Sequence, residues 1–168
     1  MSVLKIYIYG HPVLRAKAGR IEEITPDTRE LAENMIETMR VADGIGLAGP
    51  QVGEMQSILV IDMDLIEEGI APRVFINAEI LEDAGNSVIE EGCLSIPDIR
   101  ENVERPELIK VKYLDIDGIE HVEECGGMLA RVLQHEIDHL HGVLFIDRLS
   151  SIKRSLLAKK LKKLAAGA

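Results

Sequence analysis

His135-Glu136-Ile137-Asp138-His139 can build most of a hydrolytic metal site from one helix. Histidines four residues apart project from the same helical face, one turn apart, so both imidazoles can reach one ion. Glu136 follows the first of them, where a carboxylate can take a proton from metal-bound water. The bland alternative is a surface helix with polar residues at these positions. The neighbours Val132, Leu133, Ile137 and Leu140 are apolar and point instead to a buried helix. Buried histidines beside a buried glutamate need partners, and a metal ion supplies them.

The elements that must position this helix can be read along the chain. Residues 3–9 alternate like a short strand and end at a Gly10-His11-Pro12 turn. Thr25-Pro26-Asp27 starts a helix with a hydroxyl cap, a proline at the first helical position and an acid in the first turn. Leu31, Met35, Ile36 and Met39 mark its buried stripe, and Asp43-Gly44 ends it. A glycine-rich loop is expected over 43–55. Strands are expected at 57–62 and 73–77, with shorter ones at 79–83 and 87–90 around the Ala84-Gly85-Asn86 turn. Leu108 to Leu114 alternates and turns at 115–118 into Glu120–Glu123, which reads as a hairpin. The motif helix spans about 126–140. A last amphipathic helix over 154–166 would carry Leu156, Leu157, Leu161 and Leu164 on one side. The expectation is one domain, 1–168, with strands mainly before the metal helix.

The totals exclude some functions. At 168 residues the chain can bury one sizeable core but not two comfortable ones. With few aromatics and no tryptophan, aliphatic side chains must form most of that core. The net charge of −10 argues against DNA binding by the body of the protein. Six cations, Lys153, Arg154, Lys159, Lys160, Lys162 and Lys163, lie beyond Ser150 with no acid among them, leaving −16 on the rest. Two cysteines, Cys93 and Cys125, do not make a secreted disulfide framework. The first nine residues are too short and too polar-interrupted for a signal peptide, and no apolar run approaches a membrane span. The expected location is the cytoplasm.

A catalytic zinc-like site needs three protein ligands and one open position. Downstream of the helix, His141 falls on a different face and Asp147 lies beyond the Gly142 break. Upstream, Glu91-Gly92-Cys93-Leu94-Ser95 offers a cysteine beside glycine at a strand end. An isolated cysteine is usually a small buried apolar residue, but beside the helix motif Cys93 becomes the stronger candidate and Asp147 the weaker. Glu91, near a buried metal, would need a cationic partner.

Taken together, these motifs make the chain similar to peptide deformylases of the bacterial type with a C-terminal helix. Three signatures carry the resemblance in order: Gly44-Ile-Gly-Leu-Ala-Gly-Pro-Gln51, Glu91-Gly-Cys-Leu-Ser95 and Gln134-His-Glu-Ile-Asp-His139. It extends over essentially the full length, from Pro12-Val-Leu-Arg15 to the trailing helix. Gly49 stands where the family usually has alanine, a change expected to affect loop rigidity near Gln51. The expected fold is α+β, with mostly antiparallel or mixed sheets packed around the central metal-binding helix, and a C-terminal helix.

The resemblance implies an enzyme that removes formyl from the N-terminal methionine of new polypeptides, releasing formate. It implies Cys93, His135 and His139 as ligands of one divalent ion, with water in the fourth position. That donor set suits Fe(II), Zn, Ni or Co, and the family implies ferrous iron as the native metal. Glu136 would act as general base and then acid. Gln51 and the backbone N–H of Leu94 would stabilise the oxyanion. An extended substrate would pair with backbone around Ile45 and Gly46, with Gly92 as a further contact. Ile45, Leu129, Val132 and His135 would wall the methionine pocket, Arg100 would face the cleft, and Arg105 would be the partner of Glu91. The basic final helix is either a solvated face or a dock for ribosomal RNA. Two rival readings use the same helix: a zinc endopeptidase, whose third ligand would not be Cys93, and a binding module with a purely structural ion.

Overall fold

The unbroken apolar run at 58–61 is a strand covered on both faces, and this sets the layering of the fold. The computed structural model describes residues 1–168. Its helices are α1 (Pro26–Val41), α2 (Gly127–Leu140) and α3 (Ser151–Ala166). Its strands are β1 (Gly46–Ala48), β2 (Ile58–Ile61), β3 (Arg73–Ala84), β4 (Ser87–Cys93), β5 (Ile96–Arg105), β6 (Leu108–Leu114) and β7 (Glu120–Cys125). Five strands form one antiparallel sheet in the order β1-β2-β3-β6-β7, while β4 and β5 pair as a separate hairpin.

Side-chain alternation divides the core. Leu59 and Ile61 of β2 join Phe75 and Val111 under α2, against Leu133, Ile137 and Leu140. Ile58 and Val60 turn to the other face and meet Leu31, Met35 and Met39 of α1. The motif helix therefore lies on one face of the sheet and α1 on the other. The third cluster, with Ile96, Ile99, Val103, Phe145 and Leu161, seats the β4–β5 hairpin against α3.

Helix α1 begins as its sequence requires. The Thr25 side chain accepts from the Thr28 N–H, and the Thr28 hydroxyl accepts from the Thr25 N–H at 3.1 Å. Other expectations need correction. Residues 3–9 join no ladder; the Tyr7 and Tyr9 N–H groups donate instead to the carbonyls of Gln51 and Ser95. The two short strands expected at 73–77 and 79–83 are one bulged strand, β3. Its apparent break is Asn77, which adopts a positive φ of 54° and bonds both backbone groups of Ile21. The loop expected over 43–55 contains β1 and a 3-10 turn at Gly49–Val52. Strand β5 was not foreseen, because Pro97 and the left-handed Asp98 (φ 64°) interrupt its alternation. Helix α3 starts three residues early, capped by Ser150. Leu156 does not share the buried side of α3: it is 78% exposed, whereas Leu161 is buried.

Candidate metal centre and cleft

Helix α2 carries His135 and His139 on the face turned toward the tip of the β4–β5 hairpin. Cys93 is the last residue of β4, held by pairing with Ile96 across the two-residue turn Leu94-Ser95. One donor atom from each of Cys93, His135 and His139 falls within 4.8 Å of the others. Cys93 Sγ lies 3.3 Å from His139 Nε2. A thiolate and two imidazoles suit a borderline-soft divalent ion. Asp147, the weaker sequence candidate, is engaged elsewhere, in an ion pair with Arg15.

The charges around the triad are arranged by burial. His139 is held neutral, its pKa lowered well below the usual value by burial and by the adjacent His135. Burial alone would lower His135 as well, but Glu136, Cys93 and Glu91 outweigh it and favour positive charge there. Glu136 is pushed up to about 7, mainly by burial, with His135 pulling the other way. A carboxylate in that range is matched to proton transfer near neutrality. Its Oε2 stands 3.9 Å from His135 Nε2, and its Oε1 has no protein partner although buried. His139 Nδ1 is likewise buried without a protein partner. The unpartnered Glu136 Oε1 beside a converging donor set fits a bound ion and its water, whereas His139 Nδ1 is on the far side of the ring from Nε2, which faces Cys93.

Glu91 orients the first imidazole by accepting from His135 Nδ1 at 2.8 Å. Arg105 grips the same carboxylate through Nε (2.7 Å) and Nη2 (3.0 Å), and reaches Asp138 through Nη1. Burial would raise the Glu91 pKa, but the bonds from His135 and Arg105 hold it well below the usual carboxylate range. The expected Glu91–Arg105 partnership is present, and it is buried.

Gln51 is oriented by three neighbours. Its Oε1 accepts from the Ala48 N–H at 3.0 Å, so Nε2 points toward Ser95 Oγ (3.1 Å) and Cys93 Sγ (3.5 Å). Leu94 follows Cys93 in the hairpin turn and lines the same cleft. That cleft, about 550 Å³, runs between β1 and β4, each the edge strand of its own sheet. Ile45, Gly46, Gly92, Val132 and Arg100 all line it. Arg100 crosses over Gly92 and is tied to Glu90 at 2.8 Å. Leu129 is the exception: it packs against the main core, and Met128 takes the place in the cleft wall. Met128 stands two helical turns before His135 and shares its cleft-facing side, whereas Leu129 is rotated about 100° toward the core.

Three further contributors escaped the sequence reading. Ser95, the Gln51 partner, stood in the second signature without a role. Ile99 lines the cleft from the unforeseen strand β5. Arg131 lines it from α2, and its four-residue spacing from His135 was the available signal.

Comparison with known proteins agrees with this geometry. The polypeptide deformylase family pattern matches residues 3–155. A peptide deformylase from Mesorhizobium japonicum is 51% identical over 98% of this chain and 94% of its own length. One from Salinibacter ruber is 48% identical over 98% of this chain and 90% of its own. The peptide deformylase structure from Thermus thermophilus superposes with a TM-score of 0.90 at 39% identity, covering 98% of this chain and 99% of that one. That from Synechococcus elongatus, in complex with actinonin, gives 0.88 at 44% identity, covering 94% and 87%. Signatures, fold and near-complete overlap coincide, and the chain belongs to the polypeptide deformylase family.

Proposed function

We propose that this chain, acting as one catalytic domain, hydrolyses the formyl amide of N-formylmethionyl polypeptides, with Glu136 moving the proton. The convergence of Cys93, His135 and His139 on one point, with a buried carboxylate of raised pKa beside it, carries the reading. Cys93, His135 and His139 would hold one divalent ion; Fe(II) is the proposed native metal, and Zn, Ni or Co would fit the same donors. Such an ion supplies Lewis acidity to the formyl oxygen and lowers the pKa of water bound to it.

Glu136 accepts a proton from the attacking water and returns it to the leaving amine, so formate and a free N-terminus result. The Gln51 amide and the Leu94 N–H donate to the oxygen on which negative charge develops. One such donor is worth about 3–4 kcal/mol. Between the edges of β1 and β4, an extended peptide can add as a strand, with main-chain bonds at Ile45, Gly46 and Gly92. Main-chain recognition tolerates many residues after methionine, as a general processing enzyme requires. Val132, Met128 and Ile45 offer the apolar wall for the methionine side chain.

A cytoplasmic site of action suits a nascent-chain substrate, and no helix of the structure is long and apolar enough to cross a membrane. Helix α3 is proposed to dock on ribosomal RNA: Arg154, Lys159, Lys160, Lys162 and Lys163 are exposed, while Lys153 is tied to Glu101 at 3.2 Å. Replacing the four distal lysines by glutamine should weaken ribosome co-sedimentation and flatten its salt dependence; unchanged binding would remove this dock.

The test of the main reading is formate release from a formyl-Met tripeptide by protein purified anaerobically with iron. Formate in step with peptide consumption is expected. Cleavage of internal peptide bonds instead would favour an endopeptidase, and an inert metal-loaded protein would favour a structural ion.

A further inference from the structure

A second arginine holds Glu91, and it belongs to the motif helix itself. Arg131, His135 and His139 are spaced by four residues on α2, so they share one face. The Arg131 side chain is 4% exposed, and every Nη proton has a taker. Nη1 donates to Glu91 Oε2 at 2.8 Å and to the Val103 carbonyl at 2.9 Å. Nη2 donates to the Ser87 carbonyl at 2.9 Å and to Ser87 Oγ at 2.8 Å. Glu91 consequently receives two donors on each oxygen: His135 and Arg105 on Oε1, Arg105 and Arg131 on Oε2.

We propose that Arg131 is a positioning residue for the metal site: it locks the plane of Glu91, and Glu91 aims the His135 ring. The inference rests on the proposed ligand set above. Arg105 alone grips the carboxylate from one side and is shared with Asp138, leaving the Glu91 plane free to tilt about that grip. Arg131 adds the second point of attachment. The same guanidinium also ties Ser87, where β4 starts, and Val103 of β5 to α2. Arginine is required because a lysine keeps the charge but offers no planar fork.

The test separates positioning from simple clamping. Arg131→Lys is loaded with Co(II), and the d–d and thiolate-to-cobalt bands are recorded. Zn(II) affinity is measured by chelator competition, and thermal unfolding of both forms is followed. Partners of metal-ligating histidines typically contribute about 10–100-fold in affinity; Arg131, one bond further out, is expected to contribute about 10-fold, with altered d–d bands. Ser87→Ala loosens the hairpin end of the fork without touching Glu91, and should lower the unfolding temperature while leaving affinity and bands at parental values. Folded Arg131→Lys with parental affinity and bands would overturn the proposal. Should that variant not fold, Arg131→Ala supplemented with millimolar guanidinium should regain metal affinity, and no recovery would equally overturn it. A parent protein without a thiolate-to-cobalt band would instead refute the ligand set on which the inference stands.

Discussion

Gly46→Ala should still fold but lose activity by about 100-fold. A Cβ at Gly46 would lie 2.7 Å from Glu136 Oε2, 3.0 Å from Glu136 Cδ and 2.9 Å from Val132 Cγ1. The backbone there is not left-handed, so the methyl contact is the whole perturbation. Carbon atoms settle at about 3.5–4.0 Å, which makes the methyl roughly 0.6–1.1 Å too close to Val132. Val132 is β-branched and held to one rotamer in α2, whereas the Glu136 carboxylate ends a rotatable side chain and Oε1 forfeits no protein hydrogen bond by moving. Glu136 therefore yields. The folding penalty should be that of ordinary overpacking, about 1–3 kcal/mol. Displacing a catalytic group by about 1 Å costs on the order of 100-fold in rate, or about 2.7 kcal/mol of barrier. The assay couples formate release from a formyl-Met tripeptide to formate dehydrogenase, with metal content and thermal unfolding measured on the same preparation. A metal-replete variant with kcat within about 3-fold of the parent would show that this carboxylate's position does not control the rate.

Gln51→Ala removes the Nε2 donor and should lower kcat by about 100–1,000-fold with the metal retained; a loss confined to KM would contradict the oxyanion role. Gly49→Ala, although the family resemblance implies alanine there, should destabilise by about 1–3 kcal/mol in urea titrations. Its Cβ would meet the Gln56 and Glu54 carbonyls at 2.6 and 2.7 Å, and backbone gives way less readily than a side chain. Acid should release the Arg15–Asp147 pair. Burial pushes the Asp147 carboxyl up, but bonds from Arg15 and the Leu144 N–H hold it below its usual 3.8. A folded value below the unfolded one means the stabilisation is complete above the unfolded pKa and is lost as pH falls through the folded value. Below about pH 4, Asp147→Asn should thus show a shallower decline of urea midpoint than the parent; equal slopes would contradict this.

What was legible in the sequence was local. The His135–His139 spacing, the Thr25 cap and the covered strand at 58–61 each follow from a few neighbouring residues, and the structure contains them. Cys93 became legible through its signature, although its approach to α2 depends on the whole β4–β5 hairpin. Contacts made across the fold were not legible. A buried Arg131 reads as a solvent-facing charge until Glu91, Ser87 and Val103 are known to surround it. The choice between Met128 and Leu129, by contrast, was legible in helix phase, because Met128 stands seven residues before His135 and shares its face. Asp98 hides a strand because its left-handed backbone breaks the alternation by which strands are recognised.

Diffraction at the absorption edge of the bound metal, on crystals of freshly purified protein, tests the central claim most directly. The anomalous map should show one ion within bonding distance of Cys93 Sγ and one nitrogen each of His135 and His139, with its remaining position facing the cleft beside Glu136. A peak remote from Cys93, or an ion whose fourth ligand is another protein side chain, would contradict it.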